Sequence, residues 1–470
     1  MTVRRHATAQ ILTIQRCRPV IHRRTAAGAA VLALLAPCAT AVAAQQRDPL
    51  GPLVAEALQH NLGLVQERWA ERRAAADVRD ARGRFLPSVA LDSRYSEQHG
   101  TLNLGDLVNP AYVTLNELTG TTRFPTDLDV TVPFQHESRL RVTQPVFNET
   151  IRNAYALARH RASSQEFQYR AAARRVAADV QQAYLRFAAA QSTARIFQAT
   201  HDLVEENERV AERLLAAGEA TPEAVFRARA ERSDVAQQLA EARERSAAAA
   251  RILNQVLGRP LNASIEAVPD SLLRFELAIS EDSAVAHALA HREELAQADA
   301  GIEAADAAVR VATAAFLPTV SLALDYGFQG QELDFATDQD FVVASVVVSW
   351  NLFNGGRDLA RRQGARSEAQ RVRTRRAELE RLIRLEAYQA YEATVVAQAA
   401  IATAEDRLAA ARRTFDLVRR RYEEGIATQI EFVDARSSLT GAELNRTLTT
   451  YRAAMQYVEL ERAAALRVID

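Results

Sequence analysis

The chain has 470 residues, 48% hydrophobic and 25% charged, with 58 basic against 59 acidic residues and a formal net charge of −1. None of the basic residues is lysine, and there is no basic excess of the kind a nucleic-acid partner requires. Both cysteines, Cys17 and Cys38, precede residue 45, so the rest of the chain has no disulfide, thiolate metal site or cysteine nucleophile.

Residues 1–44 read as a cleavable secretory leader. Six arginines and no acid accompany an apolar run from Ala26 to Leu35 and the small-residue stretch Ala41-Val42-Ala43-Ala44, which predicts cleavage after Ala43 or Ala44. Lipidation at Cys38 is the alternative, and Pro37 stands where a lipobox has a small residue. Loss of the leader's arginines takes the formal charge from −1 to −7.

Beyond the leader the chain is written twice. Ala81-Arg82-Gly83-Arg84-Phe85-Leu86-Pro87-Ser88 returns as Ala312-Thr313-Ala314-Ala315-Phe316-Leu317-Pro318-Thr319. Gln144-Pro145-Val146-Phe147-Asn148 returns as Trp350-Asn351-Leu352-Phe353-Asn354-Gly355-Gly356, and Ala217-Gly218-Glu219-Ala220-Thr221 as Glu424-Gly425-Ile426-Ala427-Thr428. The order predicts a first repeat over 45–257, a linker over 258–283 and a second repeat over 284–470.

In the first repeat a helix ends near Phe85, and strands follow at about 88–97 and 136–147, where Val89, Leu91 and Tyr95 alternate with Ser88, Asp92 and Arg94. Residues 97–134, with Asn103, Asn109 and Asn116, read as a polar loop facing outwards. Residues 149–216 lack Pro and Gly and space Val176, Val180, Ala183, Tyr184 and Phe187 helically, which predicts a rod of about 100 Å. A helix that long requires coiled-coil packing. Gly218 ends it, Thr221 and Pro222 start a returning helix over 222–257, and Pro260 and Pro269 break the pattern beyond.

The second repeat has a helix up to Phe316, strands at about 318–328 and 341–353, and a short acidic loop between them with Glu332, Asp334, Asp338 and Asp340. Its rod begins near Arg357, ends at Gly425, and returns over 429–467. Aromatics near the strand ends, Tyr95, Tyr326, Phe328 and Trp350, resemble the girdles of membrane barrels, and ten residues suffice to cross an outer membrane at a tilt. Four strands cannot close a barrel, and open edges in lipid are costly, so the strands demand oligomerisation: eight strands from two chains or twelve from three. Asp92, Arg94, Arg139, Arg141 and Asp325 favour a wet interior and the larger ring. A soluble antiparallel sheet facing its own core is the other reading.

The duplicated order of helix, Phe-Leu-Pro, strand pair, Pro-x-Phe or Leu-Phe-Asn-Gly-Gly, rod, Gly-x-x-Thr tip and return closely resembles the TolC-like outer membrane efflux proteins, over essentially residues 50 to 467. The resemblance implies a mixed α and β membrane protein: a homotrimer with a twelve-stranded β-barrel in the outer membrane and a twelve-helix tunnel in the periplasm. It implies a passive exit duct for a tripartite efflux pump or type I secretion system, partnered by a periplasmic adaptor and an inner-membrane transporter, with no cofactor.

It also directs attention to the tips. Glu431 and Asp434 match the family's acidic aperture ring; six such carboxylates in a trimer would favour cations and raise one another's pKa. Glu431 equally completes a Thr-x-x-Glu capping box with Thr428, and both readings stand. Ala224 and Arg227 occupy the equivalent positions in the first repeat, and Arg227 is a candidate partner for the acids of a neighbouring hairpin. Tyr422 matches a latch residue of some relatives, although an arginine found nearby in them is Ala427 here. Gly218 with Thr221, and Gly425 with Thr428, match the adaptor-docking tips, and any tight helix reversal needs the same residues.

A periplasmic coiled-coil adaptor is the competing reading, against which stand two hairpins and amphipathic strands. An enzyme has little support: there is no phosphate loop or nucleophile elbow, and His287 with His291 has metal-ligand spacing without a third ligand in view.

Overall fold

Two short helices, α1 (Gly51–His60) and α2 (Leu62–Gly83), lead into strand β1 (Ser88–Tyr95). The computed structural model describes residues 50–97, 102–129, 131–132, 135–265, 275–330 and 339–467. The expected leader and the acidic stretch 331–338 lie outside the described residues. After β1 come β2 (Leu102–Asn103), α3 (Gly105–Thr119), β3 (Thr131–Val132) and β4 (His136–Phe147), then the rod α4 (Glu149–Ala216) and its return α5 (Pro222–Leu257). The second half repeats the plan with α6 (Glu281–His291), α7 (Glu293–Ala314), β5 (Thr319–Gly330), β6 (Asp340–Ser349), α8 (Arg357–Glu423) and α9 (Gln429–Ala463).

The 68 residues of α4 and 67 of α8 make rods of about 100 Å. Their stability comes from packing against neighbours. Val180, Tyr184 and Phe187 of α4 are buried with Leu253 and Leu257 of α5 and Val54 and Ala57 of α1. Another face of α4, with Leu185 and Ala189, meets Tyr451, Ala454 and Val458 of α9. Two buried arginines tie the helices together at mid-height: Arg174 is bidentate to Glu293, and Arg292 bonds Glu294, Glu386 and the Ala463 carbonyl. No described helix is long and apolar enough to cross a membrane.

The four long strands form one open antiparallel sheet in the order β1-β4-β5-β6. Its register puts Leu91, Leu140, Tyr326 and Val342 in one row, with Val89, Leu322, Leu324, Val346 and Val348 on the same uncovered face. The opposite face carries ion pairs between strands. Arg141 is bidentate to Asp325 at 2.7 and 3.2 Å, Arg94 meets Glu137 at 3.1 Å, and Arg139 reaches Asp92 at 3.8 Å while also bonding Glu137 of its own strand at 3.0 Å. Gly327 makes room for this face, since a Cβ there would lie 2.3 Å from the Ser138 carbonyl. The outer edges of β1 and β6 have no strand partner among the described residues.

Two sequence expectations are corrected. The segment 97–134 is not simply a loop, because it contains the 15-residue helix α3. Its asparagines brace the returning chain: Asn109 donates to the Leu128 carbonyl and accepts from the Leu128 amide, and Asn116 does the same with Phe124. Paired donor and acceptor groups let an Asn side chain mimic a backbone partner, which composition alone reads as solvated polarity. The last strand also stops at Ser349, short of the expected 353. Trp350 turns to bond the Phe316 carbonyl, while Asn351 and Asn354 donate to the buried Asp358 in the first turn of α8.

Candidate functional site: the hairpin tips

Each rod reverses at a glycine in the left-handed region, Gly218 at φ 77° and Gly425 at φ 75°. Both turns close in the same way. The Glu219 amide bonds the Leu214 carbonyl at 2.8 Å, and the Ile426 amide bonds the Arg421 carbonyl at 2.7 Å. This six-residue closure satisfies carbonyls at the rod end and requires a residue free to take positive φ.

The returning helices start differently. Thr221 makes no side-chain cap, and Pro222 supplies a preset first turn instead. Thr428 forms a full capping box: its hydroxyl accepts from the Glu431 amide at 3.3 Å, while the Glu431 carboxylate accepts from the Thr428 amide at 2.7 Å. Those hydrogen bonds from the Thr428 amide and hydroxyl, helped by the charge of Arg421, hold the Glu431 carboxyl below the usual carboxylate range. Within one chain this is opposite in sign to the rise expected for carboxylates meeting in a ring. Asp434 is exposed one turn further along α9.

The chain does not bring Arg227 to either acid. Its guanidinium bonds Glu223 of its own helix at 2.5 Å, both side chains largely exposed. Tyr422 stacks on Phe432 with centroids 4.8 Å apart, and Phe432 packs on Phe415 at 5.7 Å. Burial raises the Tyr422 pKa, and the charge of Glu231 adds to the rise, so this ring faces the first hairpin.

Three residues missed in the sequence join the two hairpins. Gln429 donates to the Ala224 carbonyl at 3.0 Å, linking the first turn of α9 to that of α5. Arg436 of α9 pairs with Glu231 of α5 at 2.6 Å, with both side chains 9% exposed. Burial raises the Glu231 pKa against the opposing pull of Arg436. Comparison of the repeats holds the signal: Arg436 and Arg229 both stand eleven residues after their tip glycine, but Glu208 and Glu212, the partners of Arg229, are replaced by Phe415 and Arg419 in the second copy.

The histidine pair is accounted for locally. His287 Nδ1 lies 2.8 Å from the Ala464 carbonyl, His291 Nδ1 lies 3.1 Å from the His287 carbonyl, and the rings stack at 4.0 Å. Among the described residues the cluster of three convergent potential ligands is His201, Asp202 and Glu205 on α4. Its carboxylates are already engaged by Gln198 and Arg209.

Comparison with protein-family models finds the outer membrane efflux protein family twice along the chain, over residues 53–259 and 284–466. The chain belongs to the outer membrane efflux protein family. The two matches coincide with the two structural copies described above. Comparison with curated protein sequences finds no match. Among solved structures, a membrane protein from Pseudomonas aeruginosa is similar at 19% identity and a TM-score of 0.74, covering 89% of this chain and 92% of that one. The Campylobacter jejuni CmeC outer membrane channel is similar at 17% identity and a TM-score of 0.72, covering 89% and 85%. The Vibrio cholerae outer membrane protein VceC is similar at 21% identity and a TM-score of 0.70, covering 88% and 95%. These likenesses identify the efflux-protein fold across nearly the whole chain.

Proposed function

We propose that three copies of this outer membrane efflux protein close their four-stranded sheets into a twelve-stranded barrel continued by a twelve-helix tunnel. The assembly is a passive exit duct in the outer membrane, with the helical part in the periplasm and no chemistry of its own. The observation that carries this reading is the open sheet: two unpartnered edges, one uncovered apolar face and one face of ion pairs. Unpaired backbone at the edges of β1 and β6 would cost several kcal/mol per group in lipid, and pairing with neighbouring copies removes that cost. The apolar face then meets lipid, and the charged face lines a lumen wide enough for water.

In this reading the tips converge where an inner-membrane transporter and a periplasmic adaptor of a tripartite pump or type I secretion system would engage. Gly218, Thr221, Gly425 and Thr428 shape the docking turns. Glu431 and Asp434 give the aperture its negative charge, and a Glu431 already held ionised by its cap keeps that charge over a wide pH range. Tyr422 stacks on Phe432 within the second hairpin, in a cluster that also takes in Leu203 of the first. Arg227, paired to its own Glu223, is a solvated tip charge available to a neighbouring copy only if that pair opens.

Planar-bilayer recording of the purified protein beside the Glu431→Gln, Asp434→Asn variant tests the proposal. Stable channels with a cation preference that falls in the variant are expected. Unchanged selectivity would reduce the acids to helix caps, and failure to form channels would overturn the duct.

A further inference from the structure

The two ends of the sheet differ in charge. Among the described residues beyond the end of the sheet away from the rods, Glu97, Asp106, Glu117, Asp127 and Asp129 stand against the single Arg123. At the helix end the balance reverses. Arg84 with Asp80, Arg152 with Glu149 and Arg361 with Asp358 neutralise one another, and Asp77 with Arg79 adds one charge of each sign. Five arginines remain without a carboxylate partner among the described residues: Arg82, Arg310, Arg357, Arg362 and Arg366. They lie within three helix turns of the strands, and all but the half-buried Arg362 are exposed.

The same level is unusually apolar for a solvated surface. Phe85, Leu86, Phe316, Leu317, Leu352 and Phe353 are all exposed where helices become strands, Phe353 at 85%. Arg362 holds its guanidinium 5.2 Å from the centre of the Phe316 ring, joining the two kinds of surface. An apolar band bordered by unpaired guanidinium groups matches an acyl chain below an anionic headgroup. Guanidinium also suits phosphate oxygens better than other cations, because its fork donates two parallel hydrogen bonds.

We propose that this collar binds acidic phospholipid headgroups of the leaflet on the helix side of the membrane. The inference rests on the membrane-spanning reading and adds to it a preference for lipid charge. The collar would fix the height of the sheet in the bilayer and resist its displacement along the membrane normal, since moving it inwards buries unpaired charge.

The test uses the full protein, reconstituted in phosphatidylcholine vesicles with or without phosphatidylglycerol, and compares retained lipid by native mass spectrometry after detergent extraction. Wild type is expected to retain phosphatidylglycerol about tenfold more than phosphatidylcholine, and Arg310→Gln, Arg357→Gln, Arg362→Gln, Arg366→Gln to lose that preference while still inserting. Wild-type retention of phosphatidylglycerol is also expected to fall with added salt, a readout that needs no variant. Insertion into both vesicles with equal retention of the two lipids would overturn the headgroup site alone. Displacement of phosphatidylglycerol by millimolar inorganic phosphate would mark a free-anion site and also overturn it. Failure to insert into either vesicle would overturn the membrane reading and this inference with it.

Discussion

The two hairpins have the same backbone design and pair their equivalent arginines differently. In the first, Arg229 reaches back to Glu208 at 3.1 Å and Glu212 at 3.2 Å on its own rod, and is 54% exposed. In the second, Phe415 and Arg419 stand where those acids would be, and Phe415 joins Phe432 and Tyr422 in an aromatic cluster. Arg436, equivalent to Arg229, therefore crosses to Glu231 of the first hairpin and is buried there. The two copies share the helix reversal, while an aromatic and an arginine in place of two acids separate a pairing within one hairpin from a link between hairpins.

The largest expected effect separates these two arginines. Arg436→Ala leaves Glu231 buried and unpaired and is expected to cost about 3–5 kcal/mol in thermal unfolding, whereas Arg229→Ala should cost under about 1 kcal/mol. Glu231→Leu combined with Arg436→Met should return close to wild-type stability. Equal costs for the two single variants would dissolve the comparison.

A second contrast lies near the ends of the returning helices. Asn254 is buried and donates to the Leu261 and Ala263 carbonyls, while its counterpart Glu461 is a carboxyl that burial pushes up to about 7. A carboxyl raised in the folded state favours folding below its ordinary pKa, and that contribution is lost as pH rises through about 7. Glu461→Gln should remove this dependence and leave the variant more stable than wild type above that pH, by at most about 3 kcal/mol. Parallel stability curves for the two proteins between pH 5 and 8 would count against it.

Smaller effects sharpen the contrast in the turns. Thr428→Ala should cost about 1 kcal/mol, because it removes a capping box, and Thr221→Ala almost nothing, because its side chain caps nothing. Past the helix ends, Gly258 at φ 76° and Ala465 at φ 53° close equivalent turns. Ala465→Gly should therefore gain about 0.5–1 kcal/mol, and Gly258→Ala lose at least that much, since its Cβ would also meet the His60 carbonyl at 2.8 Å. Calorimetric melting of the four variants measures the set.

Much of the architecture was legible because it is periodic. The 3-4 spacing of Val176, Val180, Ala183, Tyr184 and Phe187 is the face of α4 that packs on α1 and α5, and the period-two runs from Val320 and Val342 give the two faces of the sheet. The tip turns were legible because positive φ selects glycine. Less legible were groups whose role depends on a distant partner: the asparagines bracing α3, and the link from Arg436 to Glu231, which joins residues 205 positions apart. Glu431 shows the intermediate case. Its capping box was visible in four consecutive residues, but whether its charge also meets other copies depends on assembly.

Assembly through the sheet edges is the central claim, and cysteine cross-linking tests it most directly because no cysteine lies beyond residue 38. Ala90→Cys in β1 would be combined in turn with Val343→Cys, Ser345→Cys or Val347→Cys in β6, all on the charged face of the sheet. Oxidation in the membrane should give, for at least one pair, covalent dimers and a trimer that terminates the series. Cross-linking confined to single chains, or a series running past three, would contradict a closed barrel of three copies.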